Sequence, residues 1–190
     1  MKARPEPGGI LDALTGFRRI RPAVLGALLV SAAPLARAQA TPAAGLEKAG
    51  YVEGSVGPLL LRARRLAIEK LGSARCRQLF TEFEDAAGRR LEVVLQHRRE
   101  TGAHHLLLLS FRDGSSTAAC RTPIFAFTDL GSQEVFLCPP FMETVRRDAA
   151  TAANILIHEM LHSLGAGEAP APGLPTSLEI TARVALLCGR

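Results

Sequence analysis

The chain has 190 residues, enough for one compact domain plus a targeting segment. Its formal net charge of +5 is concentrated at the start, where residues 1–40 carry six Lys/Arg against two Asp/Glu; residues 41–190 carry seventeen against sixteen. The remaining arginine pairs (Arg64-Arg65, Arg89-Arg90, Arg98-Arg99, Arg146-Arg147) alternate with acids, so they read as solvated faces and the composition argues against a nucleic-acid partner.

Residues 1–40 have the pattern of a secretory signal peptide. Arg18, Arg19 and Arg21 precede a short apolar core from Ala23 to Ala33, and Ala36-Arg-Ala-Gln-Ala40 offers small residues for cleavage after Ala38 or Ala40. The core is shorter than the roughly 20 residues a membrane span needs, so no stable membrane anchor is expected after cleavage. All four cysteines (Cys76, Cys120, Cys138, Cys188) follow this segment. An even count in an exported, secreted or periplasmic chain predicts two disulfides. Of three possible connectivities, Cys120–Cys138 across a hairpin is favoured, which leaves Cys76 with Cys188.

Residues 41–57, rich in Ala, Gly and Pro, read as a loose leader, with the folded domain over 58–190. Pro58 opens a run of strong helix formers to Leu71, stopped by Gly72, which predicts a helix. A second short helix is expected over 73–83. Leu91–Gln96 and His105–Phe111 are read as strands, the second apolar enough to be central. Asp113-Gly114 marks a turn. Ile124–Thr128 and Glu134–Cys138, joined through Asp129-Leu-Gly-Ser132, predict a hairpin that Pro139-Pro140 terminates. Asp148 is the expected N-cap of a helix through Ala149–Leu164, residues 165–175 form a Gly/Ala/Pro loop, and a last helix spans Ser177–Leu187.

The chemistry concentrates in Ile155-Leu-Ile-His-Glu-Met-Leu-His-Ser-Leu-Gly165. Two histidines four apart lie on the same side of a helix, so the imidazoles of His158 and His162 can hold one Zn²⁺ while Glu159 reaches a water activated at the metal. Chance places such a five-letter motif in a chain of this composition only about once in a hundred. The helix is apolar on all sides, which predicts burial. Buried His, Glu and His are costly unless something satisfies them, and a metal would.

A catalytic zinc takes three protein ligands and one open position. Glu168, three residues after Gly165, is favoured as the third; Glu179 is the rival, although Thr176-Ser-Leu-Glu179 also fits a helix capping box. His97, His104 and His105 are expected to be solvated or locally bonded. Arg183 is expected in a surface salt bridge.

His158-Glu-Met-Leu-His162 with Leu164-Gly165 resembles the zincin metallopeptidases, and its continuation to Glu168 is similar to the metzincin pattern, whose third ligand is normally His or Asp. No methionine follows Met160 to form a methionine turn, and Ser177–Ala182 lacks the N-E-x-x-S-D helix of thermolysin-like enzymes. The resemblance covers Ala152 to about Glu168. It implies an α+β, zincin-like fold in which a small mixed sheet packs on a buried active-site helix, with a C-terminal helix beyond. It also implies that an edge strand, Glu134–Cys138, pairs with a peptide or protein substrate. His158 and His162 would bind zinc and Glu159 would act as general base. The expectation is therefore an exported zinc metallopeptidase. The alternative is an exported, non-catalytic zinc-binding module whose site is closed by a fourth protein ligand, with Glu179 the candidate; a non-peptide amide substrate is the third option.

Overall fold

A computed structural model describes residues 57–170 and 172–189. The predicted signal peptide and nearly all of the leader, including Tyr51, lie outside the described residues. The described part is α+β, with eight α-helices and one three-stranded sheet.

Helix α1 (Gly57–Leu71) buries Leu60, Ala63, Ala67 and Leu71, a helical 3-4 spacing whose small residues allow close approach to the central helix. Two single turns follow, α2 (Ala74–Arg77) and α3 (Leu79–Glu82), with Ser73 capping the first through its hydroxyl. The disulfide Cys76–Cys188 ties α2 to the last helix, and Cys120–Cys138 spans the hairpin, joining the turn before it to the residue after its second strand. Both pairings agree with the sequence reading and are compatible with an extracytoplasmic protein.

Two strand assignments are corrected. Leu91–Gln96 lies in α4 (Leu91–Arg98), which buries Leu91, Val94 and Leu95. These positions are i, i+3 and i+4, so packing on one helix face overrides the β-propensity of the paired valines. The run from His105 is split between α5 (Gly102–Leu108) and β1 (Ser110–Asp113). Thr101 caps α5 by accepting from the amide of His104, and α5 turns His105 and Leu106 inward while Leu107 and Leu108 stay exposed. Gly102 is required there, because a Cβ would stand 2.2 Å from the buried ring of Phe80.

The sheet has the order β1-β3-β2. β3 (Glu134–Leu137) pairs in parallel with β1 and antiparallel with the two-residue β2 (Ala126–Phe127), so the sheet is mixed as expected. The predicted edge strand Glu134–Cys138 is therefore central, and β1 and β2 are the edges. Pro139-Pro140 ends β3 and also starts α6 (Pro139–Arg147), where missing amides at the first two helical positions cost nothing.

Helix α7 (Ala149–Ser163) begins at Asp148, whose carboxylate accepts from the amides of Ala150 and Thr151. It packs chiefly on α1, α6 and α8 (Ser177–Cys188) and meets the sheet through β2. Helices, more than the sheet, bury it. None of the described helices is long and apolar enough to cross a membrane.

Candidate metal centre

The last two turns of α7 carry the motif, and His158, Glu159 and His162 are each at least nine-tenths buried. After Ser163 the chain reverses at Gly165, whose φ of +105° favours glycine. A Cβ there would also crowd Asp85, which bridges to Ala166 in antiparallel fashion. The reversal brings the carbonyl of Ala166 to 2.7 Å from His162 Nδ1. A carbonyl only accepts, so Nδ1 carries the proton and the lone pair of His162 Nε2 faces into the site.

His158 Nε2 lies 3.0 Å from His162 Nε2, while its Nδ1 is 3.0 Å from the hydroxyl of Thr181 on α8. Without a cation, a single ring proton on His158 satisfies the pair, and Thr181 donates to the bare Nδ1. Were His158 Nε2 to ligate a metal ion, Nδ1 would carry the ring proton and donate to the same hydroxyl, which can also accept. Two imidazole nitrogens on one tetrahedral zinc stand about 3.3 Å apart, only a few tenths from the observed spacing.

Glu168 completes the cluster. Its Oε2 is 3.6 Å from His162 Nε2, and the ligand atoms of His158, His162 and Glu168 all lie within 4.8 Å of one another. That oxygen is buried and has no hydrogen-bond partner. Two converging nitrogens and an orphaned carboxylate oxygen fit a metal ion, and the three residues could hold one.

The rival ligand Glu179 is elsewhere. Its carboxylate accepts from the Thr176 amide at 2.7 Å and hydroxyl at 2.9 Å, forming the capping box of α8, and its side chain is exposed.

Glu159 lines the same cleft, and its buried Oε2 has no hydrogen-bond partner. Burial, reinforced by the nearby charge of Glu168, pushes its carboxyl up to about 7. Thr128 faces it and opposes part of that rise, yet neither Thr128 Oγ1 nor Glu159 Oε2 reaches hydrogen-bond geometry. Burial and then His162 hold the His158 imidazole down at about 3, which keeps it neutral and able to ligate.

These groups form the floor of a cleft of about 840 Å³, walled by 123–130, by α7, by Glu168–Pro170 and by α8. The carbonyl of Phe125 accepts from Cys138, so alternation along the hairpin turns the Ala126 amide and carbonyl toward the free edge of β2.

Three features were not foreseen. Thr181 and the Ala166 carbonyl orient the two histidines, and the Thr181 contact spans 23 residues that no local pattern connects. His105, expected to be solvated or locally bonded, is fully buried, with Nδ1 2.7 Å from Glu100 and Nε2 2.9 Å from Ser163 Oγ. The Glu100 contact is local; the Ser163 contact is not, and it fastens α5 to the end of α7 beside His162. His97 and His104 stay at the surface or near it, and Arg183 pairs with Glu82 at 2.7 Å, as expected. No protein-family model matches this chain, and no curated protein or solved structure is similar to it.

Proposed function

We propose that the protein is an exported zinc-dependent metallopeptidase, with His158, His162 and Glu168 as ligands and Glu159 as general base. The observation that carries this reading is the convergence of His158 Nε2 and His162 Nε2 to 3.0 Å beside the orphaned oxygens of Glu168 and Glu159, on the floor of an open cleft. When bound, zinc supplies a Lewis acid that polarises a carbonyl and lowers the pKa of water.

The chain's own residues supply the remainder. Thr181 and the Ala166 carbonyl fix the imidazole orientations. The free edge of β2 offers the Ala126 amide and carbonyl to an extended peptide. Glu159 takes a proton from the attacking water at Oε2 and delivers it to the leaving amine. The two disulfides agree with a secreted or periplasmic location.

A closed, non-catalytic zinc site would need a fourth protein ligand. Among the described residues the cluster contains three, and Glu179 is occupied in its capping box, which favours the open site. The test is Glu159→Gln. It should retain one zinc per chain and lose peptide hydrolysis; a variant as active as the parent sinks the mechanism.

A further inference from the structure

The cleft has an uneven charge. Among the described residues its ionisable lining is Asp129, His158, Glu159, His162 and Glu168, with no Lys or Arg. The carboxylate oxygens Glu159 Oε2 and Glu168 Oε2 lack hydrogen-bond partners although both are buried, and Glu159 is 5% exposed overall. A divalent cation would offset these two acids, leaving Asp129 as the uncompensated charge.

Asp129 is exposed but not loosely placed. It opens a turn in which Ser132 N–H donates to its carbonyl at 2.9 Å and Gly131 takes φ +78°. The Gly131 amide then donates to the carbonyl of His162 at 3.0 Å, which pins the turn to the end of α7. Its side chain makes no hydrogen bond or ion pair among the described residues, unlike Asp85 and Asp148, whose carboxylates are engaged locally. Beside it on the same cleft, Phe125, Leu130 and Leu178 are 46%, 55% and 77% exposed.

We propose that Asp129 is a specificity-determining residue, and that the cleft selects peptides with a lysine or arginine side chain beside the scissile bond and apolar residues next to it. The inference deepens the peptidase reading and rests on it. The cation would pair with the anchored carboxylate, while its apolar neighbours cover Leu130 and Leu178. A substrate carboxylate in the same place would meet Asp129 with no basic residue to receive it.

The test uses the zinc-loaded protein and quenched fluorescent peptides identical except for Lys, Leu or Glu beside the cleaved bond. Attraction to one charge and repulsion of the other at an exposed site predict a Lys-over-Glu preference of roughly tenfold in kcat/KM. Asp129→Asn should reduce it to about twofold, and Asp129→Lys should reverse it. Fluorescence anisotropy of the same peptides on Glu159→Gln reads recognition without turnover. Cleavage with a Lys/Glu ratio indifferent to Asp129 overturns the inference and leaves hydrolysis standing. Binding that depends on Asp129 without any cleavage by the parent supports the inference and overturns hydrolysis. Neither binding nor cleavage overturns both.

Discussion

Glu159→Gln should change how the stability of the metal-free protein depends on pH. The Glu159 carboxyl is pushed up to about 7 from an ordinary value of 4.5, so between these limits the native state keeps a proton that the unfolded chain has lost. Stability therefore falls as pH rises through this window, by about 1.4 kcal/mol per unit. His158 does the reverse. Its pKa is held at about 3 against 6.5, so between those values the unfolded chain binds the extra proton and stability rises with pH at the same slope. From about pH 4.5 to 6.5 the two contributions cancel. Glutamine mimics the neutral carboxyl and removes only the first slope. The variant should match the parent near pH 4.5 and exceed it by roughly 2 to 3 kcal/mol at pH 6.5. Urea unfolding in the presence of a chelator, at pH 4.5, 5.5 and 6.5, measures the difference directly. Parallel pH profiles for parent and variant would refute the buried, desolvated environment assigned to Glu159.

Further outcomes follow from the same geometry. Isothermal titration with zinc should show binding abolished in His162→Ala, weakened about tenfold or more in Thr181→Val, and unchanged in Glu179→Gln, whose side chain serves only its helix cap. Opening Cys76–Cys188, which spans 112 residues, should cost about 5 kcal/mol, against about 3 kcal/mol for Cys120–Cys138 across 18, read as denaturation midpoints of the paired Ser variants. Gly102→Ala should destabilise by about 1–3 kcal/mol in thermal unfolding, because the new Cβ displaces the Phe80 ring.

Elements whose signals are local were legible in advance. The Asp148 cap, the Pro58 and Gly72 boundaries of α1, and the Thr176–Glu179 capping box each depend on residues within a turn of one another. The failures share one cause. Leu91–Gln96 and the run from His105 are short and apolar, and such runs suit a strand or a buried helix equally well until a partner surface chooses. For α5 that choice involves Phe80, whose ring packs so closely on Gly102 that a Cβ there would displace it. Pro139-Pro140 marks both an end and a beginning, since proline stops a strand and starts a helix by the same lack of an amide.

By itself, the sequence determined the α7 motif, because a separation of four residues on any helix aligns His158 and His162. It also determined that these residues would be buried, because apolar side chains surround them on every face, and it favoured the disulfide pairing found. Only the tertiary structure brings Glu168, and not Glu179, beside the two histidines, by turning the chain at Gly165 and committing Glu179 to the start of α8. It alone supplied Thr181, the Ala166 carbonyl and the anchored Asp129 turn, and it exchanged the expected edge strand for β2. Ligand geometry along one helix is a property of its period, whereas what faces that helix depends on contacts between segments far apart in the chain.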